Sequence, residues 1–450
     1  MRWKELELAG WGNTARVTMP AARPERQAEL DAVLAAQGVA PNGLIARGAG
    51  RAYGDAAVLT GGSTVLTQRL DRILSFDEAT GEIVCEPGVS FADLAQVFLP
   101  RGFMAPASPG TAFCTIGGAV AADVHGKNHD RHGSFGDHVK WFDLLTADGK
   151  TRRVTPFDDP ELFSATIGGM GLTGILRRVA FTMLPGASHW VRVKERRVRD
   201  LEAFLAAFAE VRHSATFSVA WIDAMGRGFD FARGILETAE FVDAGPRPKH
   251  KAPRNVPFTF PSVALNPLSV RLFNGWYYGR IPRGGRERAR PFVDFLYPLD
   301  SIGGWNKIYG KRGFYQFQCV LPDAEAPKGL QRLLEEISAS RAASFLAVLK
   351  TLGGQGKGML SFPKSGFTLA LDFPRRSGTL ELLGRLERIT LDHGGRIYLA
   401  KDQALSAEGF RAMYPSLPEF EAVLARVDPE CRFASDQSRR LNIKPQDLRA

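Results

Sequence analysis

The sequence predicts a two-part α+β protein, and three observations carry the prediction. Up to about residue 189 the chain reads as short strands, turns and a few helices around two glycine-rich stretches, RGAGRAYGD at 47–55 and SPGTAFCTIGGAVAADVHGKNH at 108–129. Near His189 the rhythm changes to short strands alternating with amphipathic helices. In one of these helices Leu330, Leu333, Leu334 and Ile337 fall at i, i+3, i+4 and i+7, a single apolar stripe that should pack on a sheet. Strands and helices in that alternation form an α+β layer, an antiparallel sheet with helices on one face.

In order along the chain, TVLTQRLDRI is followed by the hairpin-like SFDEATGEIVCEPG. Ser90 is the N-cap of the next helix, with Asp93 at the capping-box position, and the helix through FADLAQVFL stops at Pro100 and Gly102. HVKWFDLLTADGKTRRV is a hairpin about an Asp-Gly turn, and residues 175–181 alternate as a strand. VRVKERRV, LEAFLAAFAEVRHS and TFSVAWIDA then read as strand, helix and strand. GFYQFQCVL, PKGLQRLLEEIS, ASFLAVLK, GFTLALDFP, TLELLGRLERITLDHGG and RIYLAKD resume that rhythm. The tail from Gln403 is expected to be helical and polar.

Composition narrows the class. With 450 residues, 44% hydrophobic and 24% charged, the chain is an ordinary globular protein with room for two domains. Its cysteines, Cys85, Cys114, Cys319 and Cys431, form no CxxC pair, which speaks against a disulfide framework or structural zinc and suits a reducing compartment. The N-terminus lacks an apolar signal-peptide core and no run approaches the ~20 apolar residues of a membrane span. A cytoplasmic protein, soluble or peripheral at the inner membrane, is expected.

The net charge of +10 is concentrated. Residues 245–290 hold ten Lys and Arg against one acid, Glu287, with Phe258, Phe260, Leu268, Leu272, Phe273 and Trp276 between the basic ends. Such a segment suits an anionic membrane surface or lipid. It equally suits a long solvated loop, because Pro246, Pro248, Pro253, Pro257, Pro261 and Pro267 discourage regular structure. No motif for reading nucleic acid accompanies it.

The glycine-rich stretches are built for close approach: without Cβ atoms the chain turns sharply and aims N–H groups at phosphate oxygens. Neither is a GxxxxGK[ST] loop, and the GxG at 48–50 is not followed by a long apolar helix, so a dinucleotide would be held mostly by loops. His125, His129, His132 and His138 invite a metal reading, but the intervening glycines, Lys127 and Arg131 disfavour it. His125, after the small-residue run GGAVAADV, is placed to meet a redox ring. Lys401 and Lys350 each end an apolar strand, as either solvated end residues or cations aimed into a cleft. Gln316 and Gln318 alternate and share a face, either a pocket wall or a polar surface. GxSxG is absent, and no nucleophilic triad stands out.

Together, RGAGRAYGD, VHGKNHDRHGSFGDHV, ATIGGMGLTGIL, YPLDSIGGWNKIYGKRGFYQFQ, GGRIYLAKD, FRAMYPSLPEF and FASDQSRRL resemble the decaprenylphosphoryl-β-D-ribose 2-oxidases, in the vanillyl-alcohol-oxidase-like group of FAD enzymes. The resemblance runs from Gly10 to the C-terminal FASDQSRRL. It implies a PCMH-type FAD-binding domain split between residues 1–189 and 396–450, enclosing a substrate domain at 190–395 with the basic insertion 245–290. It implies FAD contacts from Arg47, Gly48, Ala49, Gly50, Arg51, Ala52, Tyr53, Gly54, Asp55, Gly110, Thr115, Ile116, Gly117, Gly118, Ala122, Asp123, Val124, His125, Ile175 and Tyr398. Covalent relatives carry a histidine at the place of Tyr53, so the FAD is expected to be non-covalent. Lys401 matches the family's active-site lysine, with His125 and Tyr53 beside the ring; Gln316, Gln318, Lys350 and Thr368 match substrate-pocket positions.

The implied reaction oxidises the 2′-hydroxyl of a polyprenyl-phospho-β-D-ribose to a ketone. An NAD(P)H-dependent short-chain reductase partner then completes epimerisation to the arabinose donor of cell-wall arabinan. One segment departs from the mycobacterial pattern: Thr368 and Ala370 stand where asparagine and cysteine are found, so inhibition by thiol-trapping nitro-aromatics is expected to fail. Two competing functions remain. An FAD oxidase of free polyols, sugars or aldonolactones would need no lipid, and a non-catalytic binding protein would need no flavin.

Overall fold

The computed structural model describes residues 2–34, 42–249, 252–261, 264–342 and 345–443. Lys251 of the basic segment and residues 444–450 of the C-terminal segment lie outside the described residues. Strands before residue 186 form two main sheets. Trp3–Ala9, Arg16–Ala22, Ser63–Leu66 and Leu44–Arg47 lie side by side in that order, the first pair antiparallel and the rest parallel. Ile73–Phe76, Glu82–Cys85, Ile175–Thr182, Val139–Leu145 and Thr151–Val154 form an antiparallel sheet that contains both expected hairpins. The helix Phe91–Phe98 starts at the expected capping box: Asp93 N–H donates to the Ser90 hydroxyl, and the Asp93 carboxylate accepts the Ser90 N–H at 2.9 Å. A 3₁₀ turn, Leu99–Arg101, extends it and ends at Gly102, whose φ of 79° is the left-handed stop that glycine adopts without a Cβ clash.

From Trp190 the strands build one eight-stranded antiparallel sheet. Its order is Arg286–Pro291, Trp190–Val198, Gly234–Val242, Phe217–Ile222, Ala347–Leu352, Gly366–Pro374, Phe314–Pro322 and Arg396–Ile397. The helices Leu201–Val211, Ala326–Ser340 and Thr379–Asp392 cover one face. The expected stripe of Leu330, Leu333, Leu334 and Ile337 is buried there, each side chain contributing about 1.5–3 kcal/mol relative to exposure. Period-two alternation leaves the other face to Gln316, Gln318, Val348, Lys350, Ala370 and Trp221, which line a cavity.

Three expectations are corrected. Of the two readings of the basic segment 245–290, the loop fails for the part after Asn266. Pro267 occupies the first turn of a helix, Pro267–Gly279, capped by Asn266, where its fixed φ suits the fold. Arg286–Pro291 is the outer strand of the large sheet, paired with Trp190–Val198. Its polarity hid it because the charges are neutralised in place: Glu195 accepts from Arg286 Nε at 2.6 Å and from Arg288 Nε at 3.2 Å. Lys401 does not end a strand either. Strand pairing stops at Ile397, and Lys401 closes the 3₁₀ turn Leu399–Lys401 because the Ala400 carbonyl accepts the Tyr53 N–H at 2.9 Å. The tail is helical but not polar throughout, since Phe410, Met413, Tyr414, Leu417, Phe420, Val423 and Leu424 are buried.

Candidate active site

A cavity of about 910 Å³ lies between the glycine-rich loops and the helix-free face of the large sheet. The first loop leaves the strand Leu44–Arg47 and is folded by Arg47. That guanidinium donates to the carbonyls of Ala57 at 2.9 Å and Ala9 at 2.6 Å. Gly50 has a φ of +63°, and a Cβ on it would stand 2.2 Å from Arg47 Nη2. Gly48 is needed because a Cβ there would stand 2.2 Å from Thr115 Oγ1 of the second loop. The Tyr53 N–H reaches Ala400, so this loop is tied directly to the turn that carries Lys401.

These walls suit a large, partly polar cofactor. A Cβ on Gly110 would meet nothing within 4 Å, and one on Gly118 only Thr115 Oγ1 at 3.3 Å, so both backbones face open space. Four buried polar atoms on cavity-lining side chains have no partner among the described residues: Arg51 Nε, His125 Nδ1, Arg280 Nε and Gln316 Oε1. Orphaned buried groups of this kind are costly and are normally satisfied by something bound. Arg51 also stacks over Trp11, with its guanidinium carbon 4.2 Å from the ring centroid, a planar platform at the cavity edge. The cradle, with open space beside Gly110 and Gly118 and unpartnered donors and an acceptor in its walls, fits a flavin dinucleotide.

At the sheet side the side chains are arranged for proton chemistry. Gln318 donates its amide to His125 Nε2 at 2.9 Å and to Thr368 Oγ1 at 3.1 Å. His125 therefore carries its proton on Nδ1, the unpartnered atom. Burial, then the neighbouring Lys350, His129 and Lys401, hold its value well below the ordinary histidine range. His125 is thus a neutral donor and not a charge for a reduced flavin. Lys401 lies with Nζ 3.9 Å from the Tyr53 ring centroid, and burial lowers it to about 8, partly offset by Cys114 and Asp372. Burial, with Lys401 next, lowers Lys350 to about 8 as well.

Behind this group stands Asp372, which sequence reasoning passed over. Its carboxylate accepts from Gln316 Nε2 at 2.6 Å and from the Tyr309 hydroxyl at 2.9 Å, and burial raises it to about 7. The first bond turns Gln316 so that Oε1 is left for a ligand. The signal was present: Thr368, Ala370 and Asp372 alternate onto one face of Gly366–Pro374.

The structure brings most of the expected site together. Gly48 to Tyr53, Gly110, Thr115, Gly117, Gly118, Ala122, Val124, His125, Gln316, Gln318, Lys350, Tyr398 and Lys401 all line the cavity. Seven expected contact residues are not among its lining, and each has another place. Arg47 holds the loop as described. A Cβ on Gly54 would stand 2.0 Å from the Asp402 carbonyl, and Asp55 pairs with Arg440 at 2.8 Å. Ile116 and Ile175 are core residues. Asp123 accepts the Gly136 N–H at 2.9 Å and the Ser361 hydroxyl at 2.5 Å, and Thr368 acts by orienting Gln318. The remaining histidines have local bonds: His129 Nδ1 accepts the Gly353 N–H at 3.0 Å, and His138 donates Nε2 to the His132 carbonyl at 2.7 Å. Among the described residues no group of three or more His, Cys, Asp or Glu is placed to hold a metal.

Comparison with known proteins gives this geometry a family. Residues 20–155 match the FAD binding domain family, and residues 369–441 match the D-arabinono-1,4-lactone oxidase family. Decaprenylphosphoryl-β-D-ribose oxidase of Mycolicibacterium smegmatis is 36% identical, over 97% of this chain and 97% of its own. An uncharacterised protein of Streptomyces coelicolor is 32% identical over 78% of this chain and 99% of its own. L-gulono-1,4-lactone dehydrogenase of Mycobacterium tuberculosis is 23% identical over 96% and 98%. With near-complete coverage at more than a third identity, and a cavity that fits FAD, the chain belongs to the decaprenylphosphoryl-β-D-ribose oxidase family of FAD-dependent oxidoreductases.

Proposed function

We propose that the protein oxidises the 2′-hydroxyl of a polyprenyl-phospho-β-D-ribose to the 2′-keto sugar. The observation that carries this reading is the enclosure of the glycine cradle, Lys401, Lys350, Gln316 and Gln318 in one cavity. Residues 1–189 and 396–450 serve as the FAD-binding part and 190–395 as the substrate part, a division supported by the change of sheet at Trp190. Bound FAD, held without a covalent link beside Tyr53, supplies the hydride acceptor. Lys401 takes the hydroxyl proton on Nζ, because a lysine lowered to about 8 has a free amine fraction near neutrality. Gln318, fixed by His125 and Thr368, and the Gln316 carbonyl hold the sugar hydroxyls. A keto product requires an NAD(P)H-dependent reductase as the next partner.

The lipid part of the reading rests on the helix Pro267–Gly279. Its inward residues Val270, Phe273 and Tyr277 line the cavity. Its outward residues Leu268, Leu272 and Trp276 are 67%, 67% and 66% exposed, one apolar stripe at i, i+4 and i+8. Arg271 on the helix and Arg283 just after it are exposed, as are Arg247 and Arg254 earlier in the segment. An anionic membrane face is the partner this surface fits, and the helix would then roof the cavity where a lipid substrate arrives. Among the described residues no helix is long and apolar enough to cross a membrane.

The competing reading, oxidation of a free aldonolactone or polyol, is favoured by the lactone oxidase match over residues 369–441. Deleting 245–290 would not separate the two, since it removes a sheet strand and a cavity wall. Anaerobic mixing does separate them. The flavin should bleach with a prenyl-phospho-β-D-ribose and not with L-gulono-1,4-lactone; the opposite result would replace the sugar-lipid reading with the lactone one.

A further inference from the structure

We propose that Lys350 is the anchor of an anion subsite that takes the substrate's phosphodiester, and so sets the enzyme's preference for a phosphorylated sugar. The inference rests on the sugar-lipid reading above and names what that reading leaves open, the group that recognises the charge. Lys350 stands on Ala347–Leu352, on the sheet side of the cavity and not in the glycine loops, with Thr368 as its cross-strand neighbour. Neither Lys350 nor Lys401 makes a hydrogen bond or ion pair with a described protein group, although each repels the other. Lys127 adds a third amino group to the same wall, donating to the Phe295 carbonyl, and burial lowers it to about 7.

Every carboxylate that faces this group is already engaged. Asp130 binds Arg212 Nε at 2.9 Å and the Thr351 hydroxyl. Asp372 is held by Gln316 and Tyr309. Glu237, at the far end of the wall, lies 3.4 Å from Arg290 and 3.6 Å from Arg280. His125 is neutral, and so is Cys114 beside Lys401, a thiol that burial pushes up to about 11. Like charges gathered in a half-buried wall without a counterion are unfavourable unless a ligand provides one.

The chemistry of the substrate provides it in the right place. In a sugar phosphodiester oxidised at C2, the phosphorus is separated from the reacting carbon by only C1 and one oxygen. A substrate whose hydroxyl meets Lys401 must therefore bring its negative charge close to Lys401, in the cavity that Lys350 also lines. The phosphodiester keeps Lys350 an ammonium. A neutral polyol or lactone would leave the Lys350 charge uncompensated, so the same residue works against the wrong substrate.

The test compares flavin reduction of the holoenzyme by a short prenyl-phospho-β-D-ribose and by the uncharged prenyl riboside, mixed anaerobically. The wild type should half-saturate at roughly ten- to hundredfold lower concentration of the charged substrate, the scale of one charge-assisted hydrogen bond. In Lys350→Met the preference should collapse toward one, through weaker binding of the charged substrate, and Lys350→Arg should restore most of it. Lys350→Gln replaces Lys350→Met if the latter is not recovered as a yellow protein. A Lys350→Met enzyme that keeps the wild-type preference overturns the subsite. So does one whose flavin midpoint potential falls while the preference stays, since the ammonium would then serve the reduced flavin. A wild type that bleaches with neither riboside but with a free lactone overturns the sugar-lipid reading itself, and the subsite with it.

Discussion

Lys401 works against two opposing demands, to be buried beside a ring and to exchange a proton, and its lowered value is where they meet. If its free amine takes the hydroxyl proton, flavin reduction at saturating substrate should rise with pH, turn over near pH 8 and stay flat above, and Lys401→Ala should keep FAD but lose at least about a hundredfold in that rate. A flat profile in rapid mixing, or a wild-type rate in the variant, would remove Lys401 from the proton path. The same burial has a stability consequence at Lys350. Its value falls from 10.5 in the unfolded chain to about 8 when folded, so at neutral pH both states are protonated and the full burial cost is present. Between about pH 8 and 10.5 the folded state binds fewer protons, and that cost is relieved as pH rises. Lys350→Met should therefore raise the thermal midpoint of the apoprotein at pH 7, and the gain should shrink as the pH passes 8 toward 10. At this scale much was legible in the sequence. Gln316 and Gln318 share a face by simple alternation, and His125 follows a run too small to fill space. Arg47 and Asp55 shape the loop with their side chains, and a motif marks such residues as firmly as those that touch a ligand.

Among the elements, the helix Pro267–Gly279 and the strand Arg286–Pro291 show what composition conceals. Seven prolines and ten basic residues in 245–290 suit a loop as well as a membrane contact, yet one proline begins a helix and alternate arginines face Glu195 and Glu237 across a sheet edge. A pairing between a basic strand and two acids more than 40 residues upstream is a tertiary fact, invisible to a local window. The outward stripe of that helix makes a distinct prediction. Replacing Leu268, Leu272 and Trp276 together by serine should weaken binding to phosphatidylglycerol-containing vesicles about a hundredfold, the loss expected for roughly 3 kcal/mol of partly inserted side chains. Binding of the wild type should fall with added salt and be weak on uncharged vesicles, because the surrounding arginines supply the electrostatic part. Equal sedimentation of variant and wild type with anionic vesicles would exclude this face as the membrane contact. Flavin content should be unchanged, as the substituted side chains point away from the cavity.

For the molecule as a whole, the geometry of the site depends on a segment that sequence reading undervalued. The tail looked polar because its helices are short and each buries a narrow face, but it closes the fold back onto the cradle. Phe433 bridges to Leu44 at the root of the first glycine loop, and Gln437 donates to the Leu399 carbonyl in the Lys401 turn at 2.8 Å. Arg440 joins all three parts. Its guanidinium meets Asp55 with Nε at 2.8 Å and Nη2 at 3.0 Å, reaches Asp402 at 2.8 Å and donates to the Leu405 carbonyl at 2.6 Å. Asp55 lies two residues after Tyr53 and Asp402 directly after Lys401, so this side chain adds a second tie between the flavin loop and the lysine turn to the bond from the Tyr53 N–H to Ala400. Removing it leaves two mostly buried carboxylates facing each other without a cation, a loss on the order of 3–5 kcal/mol. Arg440→Met should accordingly lower the urea midpoint sharply and yield protein depleted in FAD, while Arg411→Met, which removes a looser pair to Glu421 at 3.4 Å, should change stability by no more than about 1 kcal/mol. Urea titration followed by tryptophan fluorescence, with FAD measured by absorbance after acid release, checks both effects. If Arg440→Met retained full FAD and wild-type stability, the two carboxylates would have to be held by something other than this clamp. The cradle and the catalytic turn would then be fixed independently of the tail.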